Sequence, residues 1–168
     1  MPHPDEARYE QTAQEWTRQR ETEMSYVGLL ILLISITVFF SSLVVVFILR
    51  GLEEEAAWRT VPIPPMVWVS TTLIVISSVL LHMGNRLWGN RLGWAFLVAQ
   101  IAAWFQIVST RGPGSWFFWT FSGLHALHVL GGLFGFRWAR FESSRIYWHF
   151  LTGMWVFIMT MFLVLRNW

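Results

Sequence analysis

The chain has 168 residues, of which 55% are apolar and only 13% charged, with a formal net charge of +2. No acidic residue lies between Glu55 and Glu142, a composition that excludes a water-soluble domain of this length and specifies an integral membrane protein. The lack of cysteine excludes disulfides, thiolate metal sites and sulfur nucleophiles, and neither a Gly-rich phosphate loop nor a serine–histidine–acid arrangement is present.

Residues 1–24 form an acidic tail in which Asp5, Glu6, Glu10, Glu15, Glu21 and Glu23 face only Arg8, Arg18 and Arg20. It lacks the positive start of a cleaved signal peptide. Asp5 and Glu6 after Pro4 can open a short helix, with Trp16 near the membrane surface. A solvated tail and a docking arm for a partner are the two readings.

Crossing hydrocarbon as a helix takes about 20 apolar residues, because backbone polar groups must be paired within the segment. Five stretches in residues 25–168 meet that need, giving an all-α bundle of five transmembrane helices. The first, 27–49, is uncharged from Tyr26 to Arg50. The second, 64–83, follows prolines that suit a helix start and ends at Gly84-Asn85-Arg86. The third, 93–109, stops before Arg111-Gly112-Pro113-Gly114, the fourth spans 115–138, and the fifth 147–165. Short connections make neighbouring helices antiparallel. There is no internal repeat.

Every basic side chain is arginine. Arg8, Arg18, Arg20, Arg86, Arg91, Arg137, Arg140 and Arg145 fall on one side of this topology, and Arg50, Arg59, Arg111 and Arg166 on the other. By the positive-inside rule the N-terminus is cytoplasmic and the C-terminus periplasmic. Arginines that flank spans set topology and meet lipid head groups, so the basic balance gives no reason to expect a nucleic-acid partner. Glu53-Glu54-Glu55 on the outer side is either a hydrated loop or an acidic patch for a basic electron carrier.

His125 and His128, three apart on the fourth span, share a helix face, and Gln100 and Ser122 can also point inward. Imidazole suits haem iron, copper or zinc, but further ligands would have to come from His149, His82 or a partner chain. Proton relays in membranes usually string together acids with histidine, and acids are missing here. Hydrogen bonding from helix to helix is the structural use of the same residues. Gly131 and Gly135, with Gly132 beside them and Gly123 upstream, form a small face that lets another helix approach. Trp116, Phe117, Phe118 and Trp119, then Tyr147, Trp148, Phe150 and Trp155, read as interfacial belts at the span ends. With a nearby arginine, the same rings suit a bound phospholipid.

The stretch GLHALHVLGG followed by YWHFLTGMWVF resembles subunit III of the cytochrome c oxidase family, the haem–copper terminal oxidases. PPMVWVSTTLIVISS, LGWAFLVAQIAAWF and LLILLISITVFFSS resemble its neighbouring core helices, so the likeness runs from about Tyr26 to the end. The five spans correspond to the short bacterial form. The resemblance implies a non-catalytic subunit of the bacterial inner membrane. Such a subunit holds no haem, copper or other metal itself, binds phospholipid, packs on catalytic subunit I among other respiratory-complex subunits, and supports proton pumping in aerobic electron transport. By the same likeness His125, His128, Tyr147, Trp148, His149, Phe150, Gly123 and Gly131 are structural and lipid-side residues. The family's intramembrane carboxylates are replaced by Ile36, Ala103 and Thr152, and its asparagine in the second span by Ser70, so their proton-linked roles do not carry over. The alternatives are an accessory chain of a nitric oxide reductase, a small membrane cytochrome ligated through His125 or His128, and a free-standing transporter.

Overall fold

A computed structural model describes residues 4–53, 61–109, 113–135 and 141–166. Its regular structure consists of helices α1 (Pro4–Glu53), α2 (Pro65–His82), α3 (Arg86–Ile107), α4 (Pro113–Gly135) and α5 (Phe141–Arg166). The chain is therefore all-α, and among the described residues four segments are long and apolar enough to cross a membrane: Glu23–Glu53, Pro65–His82, Gly114–Gly135 and Glu142–Arg166. The stretch expected as a third span lies on α3, whose 22 residues reach about 33 Å at 1.5 Å per residue. Length is sufficient there, but Arg86, Asn90, Arg91, Gln100 and Gln106 lower its hydropathy below that of the other four.

The chain divides into two compact units, Met1–Thr37 and Val38–Trp168. In the first, the helix that opens at Pro4 runs through Met24 without a break, so the acidic tail is helical. Its Gln, Glu, Ala and Arg content favours that state. Tyr9, Trp16 and Met24 are exposed. The hydroxyls of Ser35 and Thr37 donate to Ile31 O and Leu33 O, each at 2.8 Å, which satisfies them within their own helix.

The second unit holds the core. Helices α2 and α3 form a tight hairpin. Asn85 N donates to Leu80 O at 2.9 Å and Gly84 N to Leu81 O at 3.1 Å, closing the last turn of α2, and Gly84 takes φ +83°, a conformation that favours glycine. Asn85 then caps α3 by accepting from Trp88 N at 3.3 Å. Contacts run from α2 to α3, α3 to α4, α4 to α5, and α5 back to α2, so the four helices close a ring. Phe40 and Phe47 of α1 pack against rings from α4 and α5, with centroids 6.3 Å from Phe121 for Phe40 and 5.4 Å from Phe162 for Phe47.

Candidate functional site

Several of the residues singled out in the sequence lie on the inside of the helix ring, where polar connections cross between helices. The deepest is built on Trp148 of α5, which is fully buried. Its ring lies where α3 and α4 carry glycines. A Cβ at Gly93 would stand 2.7 Å from Trp148 Cη2 and 2.9 Å from Leu133 Cδ2, and one at Gly132 would stand 2.9 Å from Tyr147 Cε1. The indole Nε1 donates to Ser77 Oγ at 3.0 Å, and that hydroxyl donates to Gly89 O at 2.7 Å. One relay thereby links α5, α2 and α3. Such bonds in a membrane average about 0.6 kcal/mol and reach about 1.7.

Two turns further along α5, Trp155 is also fully buried. Its Nε1 donates to Thr71 Oγ1 of α2 at 2.9 Å. Its ring faces the imidazole of His125 at 4.8 Å and 27°, while Phe96 of α3 meets both rings edge-on, at 5.6 Å from Trp155 and 5.8 Å from His125. His125 has no exposed surface, and neither ring nitrogen has a hydrogen-bond partner. The hydrogen bonding between helices expected of the histidine pair is therefore not what His125 does. It joins α4 to α5 and α3 through ring contacts, each worth about 0.5–1.5 kcal/mol beyond area burial.

His128 departs from that expectation too. Its Nδ1 lies 2.6 Å from Leu124 O of its own helix, and its ring meets the ring of Phe40 at 5.6 Å. The neighbouring interhelical bond goes through its backbone, since Tyr147 Oη donates to His128 O at 3.1 Å. Among the described residues, the histidine that hydrogen-bonds between helices is His149, whose Nδ1 lies 2.5 Å from Ser78 Oγ of α2. Its ring centre is 5.5 Å from that of His82. Among the described residues, no three His, Cys, Asp or Glu side chains gather closely enough to hold a metal ion together.

Gln100 of α3 is fully buried, with Oε1 3.2 Å from Ser70 Oγ. Ser70 thus makes a polar contact from α2 to α3. Ser122 receives Trp104 Nε1 at 2.9 Å and donates to Phe118 O at 2.6 Å. Phe150 is half-buried. Among the described residues, no atom of another element lies within 4 Å of a Cβ built on Gly123, Gly131 or Gly135. Of the glycine cluster, Gly132 is the position used for close approach within this chain. The belt reading fits Trp116, which is 74% exposed, but Phe118, Trp148 and Trp155 belong to the core.

Ser77, Ser78, Thr71 and Gly93 fall within the stretches PPMVWVSTTLIVISS and LGWAFLVAQIAAWF, but the sequence assigns them no individual role. The signal that could have found them is that they are small residues on otherwise apolar helices, and small residues mark close helix packing. Comparison with known protein families and with characterised proteins finds no match to this chain.

Proposed function

We propose that the chain is a non-catalytic, subunit III-like component of a bacterial haem–copper terminal oxidase of the cytochrome c oxidase type. On this reading it crosses the inner membrane five times, with α3 sheltered as the least apolar span, its N-terminus cytoplasmic and its C-terminus periplasmic. It packs on the catalytic subunit, seats phospholipid beside it and supports turnover and proton pumping, while haem and copper reside in the partner chains.

The observation that carries the reading is the use made of the resembling motif residues. Trp148 is clasped by Gly93 and Gly132 and tied to Ser77, and His125 is stacked on Trp155. Side chains so committed act as a scaffold. The cytochrome alternative draws on the unpaired nitrogens of His125. Against it, the large rings of Trp155 and Phe96 already lie on that imidazole, and a porphyrin would have to displace them.

The test is to purify the chain from its native membranes through a tag and identify what accompanies it. Catalytic oxidase subunits with their haem and copper are expected. Nitric oxide reductase subunits would keep the accessory role but change the host. A Soret band from the isolated, haem-replete chain would overturn the proposal in favour of the cytochrome.

A further inference from the structure

At the end of the bundle where α2 finishes and α5 is in its early turns, His82 and His149 face each other from different helices, with ring centres 5.5 Å apart. We propose that they form a two-histidine clamp for a divalent transition cation of the zinc type, with water completing the coordination shell. This inference stands on geometry and is independent of the oxidase reading.

Three features point to a cation. Imidazole nitrogen bonds zinc at 2.0–2.1 Å, which places each ring centre roughly 3.2 Å from the metal, so two rings on one tetrahedral ion sit about 5.2 Å apart. The observed separation is close to that. Second, His149 is held as a ligand should be. In the tautomer that donates Nδ1–H to Ser78 Oγ, its Nε2 keeps a free lone pair, and Nε2 is a buried atom with no hydrogen-bond partner. Metal-binding histidines are oriented in this way by a bond from the other nitrogen. Third, His82 lies in the last turn of α2, where the aligned peptide dipoles put the negative end of the helix and favour positive charge.

His82 is exposed and closes α2 at the end of its apolar run, so the site lies at the rim of the bundle. The guanidinium of Arg145, one turn before His149, lies 3.9 Å from the carboxylate of Glu142, which offsets part of its repulsion. No third His, Cys, Asp or Glu joins the pair among the described residues, so the protein supplies two bonds. The ion would tie the end of α2 to α5, adding to the connections made by Trp148 and Trp155.

The test uses the full chain in detergent, carrying a tag without histidine, stripped of metal and titrated with cobalt(II) and then zinc. One ion per chain is expected, together with a higher melting temperature. His82→Ala and His149→Ala should each weaken binding by at least about tenfold, and Ser78→Ala by about tenfold through loss of ring orientation. His3→Ala and His128→Ala should leave it unchanged. Because the chain has no cysteine, His82→Cys offers a further readout: bound cobalt should gain a sulfur charge-transfer band in the near ultraviolet. Absence of stoichiometric binding, binding indifferent to His82→Ala, or cobalt bound to the His82→Cys chain without that band would each overturn the proposal.

Discussion

His125 of α4 and Trp155 of α5 lie nearly parallel, 4.8 Å between ring centres, and the imidazole makes no hydrogen bond. A histidine so placed behaves as a flat aromatic spacer, and its two nitrogens are a liability that a hydrocarbon ring would not carry. Burying an unpaired polar group costs about 1–3 kcal/mol. His125→Phe is therefore expected to leave thermal stability in detergent unchanged or raised. His125→Ala should lower it by about 2–4 kcal/mol, because it opens a void beside Trp155 and Phe96. Comparable losses in the two variants would show that the nitrogens matter more than the ring.

The glycines of α3 and α4 should separate into two groups. Gly93→Ala and Gly132→Ala place a methyl against Trp148, Leu133 and Tyr147, and overpacking of this kind costs about 1–3 kcal/mol. Gly131→Ala and Gly123→Ala meet nothing among the described residues and gain helix propensity, worth about 0.5–1 kcal/mol. Melting temperatures of the four isolated variants check the contrast. If Gly131→Ala is harmless alone yet reduces recovery of partner subunits, that face of α4 is packed in the assembly.

Trp148 and Ser77 should be energetically coupled. Trp148→Phe removes the donor to Ser77 Oγ, and Ser77→Ala removes the acceptor and its onward bond to Gly89 O. A double-mutant cycle should return a coupling of about 0.6–1.7 kcal/mol, the range for hydrogen bonds between membrane helices. Additive losses would remove the relay from the account of how α5 is held.

The turn between α2 and α3 gives a fourth expectation. Gly84 takes φ +83° with nothing within 4 Å of its missing Cβ, so Gly84→Ala is strained by its backbone alone. A loss of about 1 kcal/mol is expected, and Gly84→Asn should recover part of it, since asparagine tolerates that conformation better. Urea or thermal unfolding in detergent decides between them.

Helix existence was legible in the sequence because long apolar runs and breakers are local signals. Pro64-Pro65 marks the start of α2, and Gly84-Asn85 its end. Boundaries followed the hydrocarbon and missed what lies beyond it. The third helix begins at Arg86, ahead of the expected residue 93, and the fifth at Phe141, ahead of 147. Hydropathy reports immersion, whereas a helix continues through polar residues wherever propensity and a cap such as Asn85 allow.

Partners across the bundle were illegible for a different reason. Nothing local to His125 announces a tryptophan 30 positions on, and Ser78 and His149 are separated by 71 residues. The sequence offers two histidines as a pair, and the fold sends them to different neighbours. Trp148 lies at a span end in sequence and Trp155 at the middle of the same run, and neither position tells which way the side chain turns: both fall on the face of α5 that meets α2, α3 and α4.

The closed ring α2–α3–α4–α5 also has an order in time. Translation delivers the hairpin of α2 and α3 first and α5 last, so Ser77, Thr71 and the notch at Gly93 must wait for their indoles until the C-terminal segment leaves the ribosome. A nascent chain stalled before Trp148 would hold α1 and three of the ring's four helices with an open seam, a form suited to capture by membrane quality control.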